Sequence, residues 1–304
     1  MKKRLLFFVF LLIFAGLGFN LYRSVTKGLW DGRNRFNLVL IGEQIAVFSL
    51  APGEEAVSFL LIPGTTLVET IRGYGTYRIN SVFNLGELDN GGGKLISGTI
   101  QDYLGLTIDG YARLEDGNIE FVQQALVGLL RNKGETNLTS WDLVRLWWQL
   151  KKIRPDRIKM VNLGETSACS EVVLADESSA IEIDSERVDR VVSQLFKDQK
   201  VRIEDLAVAV LNRTSHQGLA GRAARLITNI GGRVVEVGEA ESLSVTKPGE
   251  KCEVQSAEKL RNSYTVKKLI RIFDCSWGGE ALGGHRAEVI LILNEDYWQR
   301  LNRK

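Results

Sequence analysis

The loop RTSHQG, residues 213–218, stands between the apolar run DLAVAVLN (205–212) and the helix-like run LAGRAARLITNI (219–230). A loop in that setting can turn its backbone N–H groups toward an anion at the helix start. Asn212, Thr214, Ser215 and Gly218 are the candidates for such a site; the commoner job of the pattern is to cap the helix through Ser215 or a neighbour. His216 and His285, the only histidines, lie on separate predicted elements with no cysteine or carboxylate at ligand spacing, so no zinc centre is expected. Serine, histidine and aspartate all occur, but no Gly-x-Ser-x-Gly turn presents a nucleophile. Cys252 opens a strand-like run and Cys275 closes a helix-like one; an antiparallel return would bring them within disulfide reach, leaving Cys169 as a buried or free thiol. The alternative, three packing cysteines, stays open. Asn137-Leu-Thr and Asn212-Arg-Thr match the glycosylation pattern.

These residues need a scaffold, and 304 residues allow one large or two ordinary domains. A hydrophobic content of 44%, 25% charge and 4 prolines describe a globular chain without a long disordered tract. The net charge of +2 comes from 39 basic and 37 acidic residues dispersed along the sequence. No polyelectrolyte stripe stands out, so nucleic acid is not an expected partner.

The N-terminus carries Lys2, Lys3 and Arg4 before an uncharged run over 5–22. At 1.5 Å per residue this run spans roughly 27 Å, about the thickness of a hydrocarbon core. With the basic cluster held inside, the rest of the chain is placed outside the cytoplasm. A cleaved signal peptide is the rival reading, but Ala15 and Gly16 lie within the apolar run rather than after it. A buried core helix is disfavoured because the run has no polar face.

The segment 23–35, with Gly28, Gly32 and four basic residues, reads as a polar stalk. FNLVLIG (36–42), IAVFSLA (45–51) and AVSFLLIP (56–63) are continuous apolar runs suited to strands covered on both faces, which implies a layered mixed sheet. Ile96, Ile100 and Leu104 recur at helical spacing, IDGYARLE (108–115) reads as a strand and 121–130 as a helix. Thr139 or Ser140 caps a helix over 141–153 that turns Leu143, Leu146, Trp147 and Leu150 inward and stops before Pro155. Of the adjacent Trp147 and Trp148, one is expected in the core and the other facing a groove or partner. IKMVNLG (158–164) is a further strand and 185–198 a helix. A second region begins near Glu204, where a strand over 205–212, a helix ended by Gly231 and Gly232, RVVEVGEA, CEVQS, a helix over 263–273 and AEVILIL complete a small α/β sandwich.

Two long segments carry a resemblance. VSFLLIPGTTLVETIRGYGTYRINSVFNLG, followed by YLGLTIDGYARL and TNLTSWDLVRLWWQLKKIRPDRIKMVNLG, resembles the LytR-CpsA-Psr family of envelope proteins. In that family a strand ends in Ile-Pro-Arg-Asp-Thr, a Gly-Tyr-Gly and an Ile-Asn follow, and a helix leads to a Leu-Gly-Ile-x-Ile-Asp strand. VAVLNRTSHQGLAGRAARLITNIGGRVVEVGEA resembles the LytR C-terminal domain, with its Leu-Asn-Gly-Thr strand end and Gly-Leu-Ala helix start. The resemblance implies an anchor over 1–23, a stalk over 24–35, a LytR-CpsA-Psr-like domain over 36–200 and a LytR C-terminal-like domain over 204–304. Its bacterial character makes the glycosylation matches chance.

Members of that family move polymers from a lipid pyrophosphate carrier to the wall, with aspartates holding magnesium and arginines neutralising pyrophosphate. Charge spreading onto phosphoryl oxygens requires such fixed cations. Here Gly64 stands at the arginine position and Thr65 at the aspartate position; no aspartate lies between Asp31 and Asp89, and only Gln123 and Gln124 remain of an arginine-rich segment. The resemblance thus implies a shortened, non-catalytic relative whose surviving Arg72, Arg78, Asn80 and Arg113 hold a phosphate or are merely solvated. Its ligand would be a wall polymer, a lipid-linked precursor or an envelope partner. The alternatives are an active transferase that recruits Asp89, Asp109 or Glu115 with magnesium, and a carrier that keeps a slot for a polyprenyl lipid.

Overall fold

The computed structural model describes residues 18, 23–114, 122–131, 134–240, 251–280 and 286–302. The run expected to span a membrane, 5–22, lies outside these residues except for Gly18, as do Glu115 and His285. Among the described residues no helix is long and apolar enough to cross a bilayer. The architecture is mixed α/β and divides into two compact units, Met1–Ile62 with Ile108–Asn162, and Pro63–Thr107 with Leu163–Lys304.

In the first unit the apolar runs become strands β1 (Phe36–Ile41), β2 (Ile45–Ala51) and β3 (Ala56–Ile62). Every residue of β1 and β2 is buried, which is why their sequences do not alternate. With β6 (Gly110–Arg113), β7 (Glu135–Thr136) and β8 (Ile158–Asn162) they form a six-stranded sheet in the order β7-β6-β1-β2-β3-β8. The β1–β2 and β2–β3 pairs are antiparallel, whereas β6 joins β1 and β8 joins β3 in parallel, so the sheet is mixed. Helix α3 (Val122–Leu130) and helix α4 (Ser140–Leu150) contribute Leu126, Leu143, Leu146 and Leu150 to one core with Leu38, Leu40, Phe48 and Phe59.

Thr139 is the N-cap of α4, and it forms a reciprocal capping box with Asp142. The fully buried Asp142 carboxylate also accepts from the backbone N–H groups of Leu29 and Trp30 at 3.0 and 3.1 Å. Trp30 is only 2% exposed and belongs to the core of this unit, and Arg145 Nη1 donates to its carbonyl at 2.6 Å. The stretch expected to be a stalk therefore supplies a core side chain and is tied to the first turn of α4.

The second unit opens with a hairpin, β4 (Leu67–Thr70) and β5 (Gly75–Arg78), whose turn places Arg72, Gly73 and Gly75 at positive φ. Helices α1 (Ile79–Glu87) and α2 (Gly92–Leu104) follow. A second hairpin pairs β9 (Cys169–Val173) with β10 (Ser179–Ile183). Helix α5 (Ser185–Phe196) ends earlier than the sequence pattern suggests. Asp198 starts a separate short helix, α6 (Gln199–Glu204), by accepting from Lys200 N at 3.1 Å, while its other oxygen accepts from the Tyr264 hydroxyl at 2.6 Å. A five-stranded sheet runs in the order β12-β11-β15-β13-β14, built from β11 (Ala207–Asn212), β12 (Arg233–Glu239), β13 (Glu253–Ser256), β14 (Ser276–Trp277) and β15 (Val289–Leu293). Its parallel centre, β12-β11-β15, is joined by an antiparallel β13. Helices α7 (Leu219–Asn229), α8 (Tyr264–Phe273) and α9 (Glu295–Asn302) close the core through Ala223, Ile227, Val266, Leu269 and Tyr297. A disulfide joins Cys252 to Cys275 with the Cα atoms 4.7 Å apart, and Cys169 is a half-buried free thiol.

Candidate functional site

Two loops at strand ends carry the sequence candidates. The first, Pro63–Thr66, follows β3. Its main chain is fully engaged in the second unit: Thr66 N donates to Pro63 O at 3.0 Å, Ile79 N to Thr66 O at 2.8 Å, Asn80 N to Gly64 O at 3.3 Å and Ile181 N to Thr65 O at 3.2 Å. Thr66 is fully buried and Thr65 is exposed. The loop presents no carboxylate and no guanidinium of its own.

Of the candidate cations, Arg72 and Arg78 stand at opposite ends of one hairpin and Arg113 belongs to the other unit. Arg78 sits beside this loop, opposite Leu67, and its Nη2 donates to Ser178 Oγ at 2.6 Å and to Ser179 O at 3.2 Å. Ser178 in turn donates its N–H and hydroxyl to Asp176, and that hydroxyl bond leads the effects that hold the Asp176 carboxyl below its usual range. Asn80 is exposed and accepts from Ser81 Oγ at 3.2 Å. Arg72 lies at the far turn of the β4–β5 hairpin, roughly 10 Å away along the strands. Beside it the Tyr74 hydroxyl donates to Asp89, a bond that raises the Tyr74 pKa. Arg113 belongs to the first unit, exposed on β6 opposite Ile41 and Glu135. Asp109 precedes that strand, and its carboxylate accepts from Asn37 N at 2.8 Å. Gln124 is exposed on α3. Among the described residues no group of three His, Cys, Asp or Glu side chains is placed to hold a metal ion.

The second loop, 213–218, follows β11 and is organised by side chains. Asn212 is 2% exposed: its Oδ1 accepts from Thr214 N at 3.1 Å and Thr214 Oγ1 at 2.8 Å, and its Nδ2 donates to His216 O at 3.0 Å and Glu239 Oε1 at 3.3 Å. Thr214 Oγ1 accepts from His216 N at 3.1 Å, which closes the turn. The His216 ring lies parallel to that of Trp298, 3.7 Å between centroids, with Nε2 3.2 Å from Glu295 Oε1. Neither Ser215 nor a neighbour caps α7: the N-cap is Gly218, at φ 80°, with no side-chain bond. The loop thus brings Asn212, Thr214 and His216 together and leaves Ser215 exposed. Glu239, Glu295 and Trp298 complete the cluster from distant positions, and no local sequence pattern marks them.

No family model matches the sequence, and no curated protein does. Among solved structures, the chain overlaps YwtF (TagT), a LytR-CPS2A-Psr family protein with bound octaprenyl pyrophosphate lipid, at 13% identity, covering 55% of this chain and 91% of that one with a TM-score of 0.41. It overlaps Bacillus subtilis TagV at 14% identity, 54% and 96% coverage and a TM-score of 0.43. A third overlap is with the transcriptional regulator yvhJ of Bacillus subtilis, at 15% identity, 52% and 94% coverage and a TM-score of 0.40. The structural neighbours thus include LytR-CPS2A-Psr proteins over about half of this chain, at a similarity below that of a shared fold.

Proposed function

We propose that this protein is a membrane-anchored, extracytoplasmic component of the bacterial cell envelope, a degenerate LytR-CpsA-Psr relative that binds a lipid-linked precursor or wall polymer without cleaving it. In this reading residues 36–200 are the former catalytic region, 204–304 a LytR C-terminal-like region, and 5–22 a single span with the N-terminus in the cytoplasm. The family reading is supported by the quoted motifs and by the order in which their elements occur. β3 leads to Pro63, the Gly-Tyr-Gly falls in the β4–β5 turn, Ile79 and Asn80 open α1, and Leu104-Gly105 ends α2 before β6.

The observation that carries the non-catalytic reading is the chemistry of the Pro63–Thr66 loop. Glycine and threonine occupy the positions where a cation and a metal-binding carboxylate would act, and Arg78, opposite Leu67 at the end of the loop, is held by Ser178 and Ser179. Transfer from a pyrophosphate needs fixed positive charge on the phosphoryl oxygens, and this loop supplies none. Two of the three carboxylates of the transferase alternative have other tasks, Asp89 with Tyr74 and Asp109 with the β1 backbone, and Glu115 lies outside the described residues.

The test is turnover. The full chain, in detergent with magnesium and a polyprenyl-pyrophosphate-linked oligosaccharide, should release no free polyprenyl phosphate or pyrophosphate, while a tritiated form of the same lipid is retained on the immobilised protein. Turnover abolished by Asp89→Asn, Asp109→Asn or Glu115→Gln would establish the transferase instead. Neither turnover nor retention would remove the lipid-linked ligand and leave wall polymer as the one to assay.

A further inference from the structure

One surface of the first unit has no part in either loop. Along α4 the buried positions are Asp142, Leu143, Leu146 and Leu150. The opposite stripe carries Trp141, Val144, Arg145 and Trp148, at the spacing of one helix face; Trp141 and Arg145 are half-buried and the Arg145 guanidinium is held on the Trp30 carbonyl, so its exposed part is Val144 and Trp148. Val144 is 39% exposed and Trp148 is 58% exposed, large values for side chains of that kind. The Arg145 guanidinium lies 5.1 Å from the Trp141 ring centre and Lys152 Nζ lies 6.0 Å from that of Trp148. The chain then continues through KKIRPDRIK, 151–159, where five of nine residues are basic. The single acid there, Asp156, is paired with Arg154 at 3.0 Å. In a chain whose total charge is +2, this is a strong local concentration of cations.

Indole rings among lysines and arginines match a headgroup layer. The ring is apolar with one polar edge, the basic side chains lay their methylenes on apolar surface, and their charged ends meet lipid phosphates. The path of the chain supplies the second argument. The apolar run ends at residue 22, and two residues later Ser24 Oγ accepts from Trp141 N at 3.0 Å. Ser24 is the second residue after the run, so the first turn of α4 is bonded to the start of the segment that follows it. Trp148 lies only about 10 Å further along the helix axis.

We propose that the outer stripe of α4 and the basic segment after it form a docking face for an anionic lipid surface, with Trp148 at headgroup level. The inference rests on reading 5–22 as an uncleaved span, and it adds a second contact that orients the first unit on the bilayer.

The experiment uses the full chain in liposomes of phosphatidylcholine, alone or with phosphatidylglycerol, both brominated near the headgroup end of the acyl chains. Tryptophan emission should be quenched more strongly in the liposomes that contain phosphatidylglycerol. Trp148→Phe should remove a large part of that quenching, whereas Trp298→Phe, in the second unit, should not. Lys151→Glu with Lys152→Glu should lower it to the level seen in phosphatidylcholine alone. Quenching equal in the two lipids, or unchanged by Trp148→Phe, overturns the proposal and leaves the face to a polymer or protein partner. Carbonate extraction of the same liposomes separates this from the anchor: release of the chain removes the span, while retention with an unquenched Trp148 removes the docking face alone.

Discussion

The two loops solve the problem of ending a buried strand in opposite ways. After β3 the chain secures Pro63–Thr66 through main-chain bonds, from Asn80, Ile79 and Ile181, while the side chains are small and hold nothing. After β11 the loop is shaped from within by one buried asparagine that makes four bonds to Thr214, His216 and Glu239. A loop held by its backbone can lose its functional side chains and keep its shape. A loop held by a side chain cannot change that residue without losing the shape. The first is where an activity could be lost with little structural trace, and the second is where sequence and geometry are bound together.

The disulfide should give the largest effect, because it fixes the floor of the second loop. Cys252 adjoins Lys251, whose carbonyl accepts from Asn294 Nδ2 at 2.7 Å; Asn294 follows Leu293, whose carbonyl accepts from Arg213 N at 2.9 Å. Replacing both cysteines by serine reopens a loop with a separation of 23 residues, which lowers stability by about 3 kcal/mol on the chain-entropy account. Urea unfolding of the full chain, followed by tryptophan emission, measures it. A loss confined to reducing conditions in the parent protein is the matching result.

Asn212→Ala comes next. The substitution strands the Thr214 N–H and hydroxyl inside the protein, and it removes the donor to the His216 carbonyl, so stability should fall by about 2 kcal/mol. The same urea titration reads it. The stacking of His216 on Trp298 should loosen as well, seen as a change in near-ultraviolet circular dichroism. Thr65→Ala, at an exposed side chain in the other loop, should leave both signals where they were.

This difference also explains how much could be read from the sequence. β1, β2 and β3 were legible because a strand buried on both faces is a continuous apolar run, and α7 because Leu219, Ala223 and Leu226 fall on one face. The cap of α4 was legible as far as Thr139 or Ser140, and Thr139 takes it through its reciprocal bonds with Asp142. The cluster around His216 was not, since Glu239 lies 27 residues from Asn212 and Glu295 lies 79 from His216. Nor was the break at Asp198, where aspartate suits a helix end or an exposed interior position until Tyr264, 66 residues on, claims its carboxylate. Trp30 was hidden for a similar reason. Its neighbours in sequence include glycine and charge, and the groups that hold its backbone come from α4, more than a hundred residues later.

The smallest effects come from one substitution, Gly to Ala, made once in each loop. Gly218 holds φ 80°, a conformation that costs an L-residue about 1 kcal/mol, although a Cβ there would meet no atom within 4 Å. Gly218→Ala should therefore destabilise by about that amount through backbone strain alone. Gly64 is not among the glycines with positive φ, and a Cβ built on it would touch Asn80 Cβ at 3.4 Å, an ordinary contact. Gly64→Ala should leave stability unchanged or raise it by about 0.5 kcal/mol, because it narrows the unfolded ensemble without straining the folded one. The opposite signs would show that the loop after β3 tolerates a side chain where the loop after β11 does not. If Gly64→Ala proved the more damaging of the two by urea titration, the main chain of Pro63–Thr66 would be under a constraint that its hydrogen bonds do not reveal. A loop that keeps such a constraint is one still shaped for a ligand, and the reading of it as an emptied site would fail.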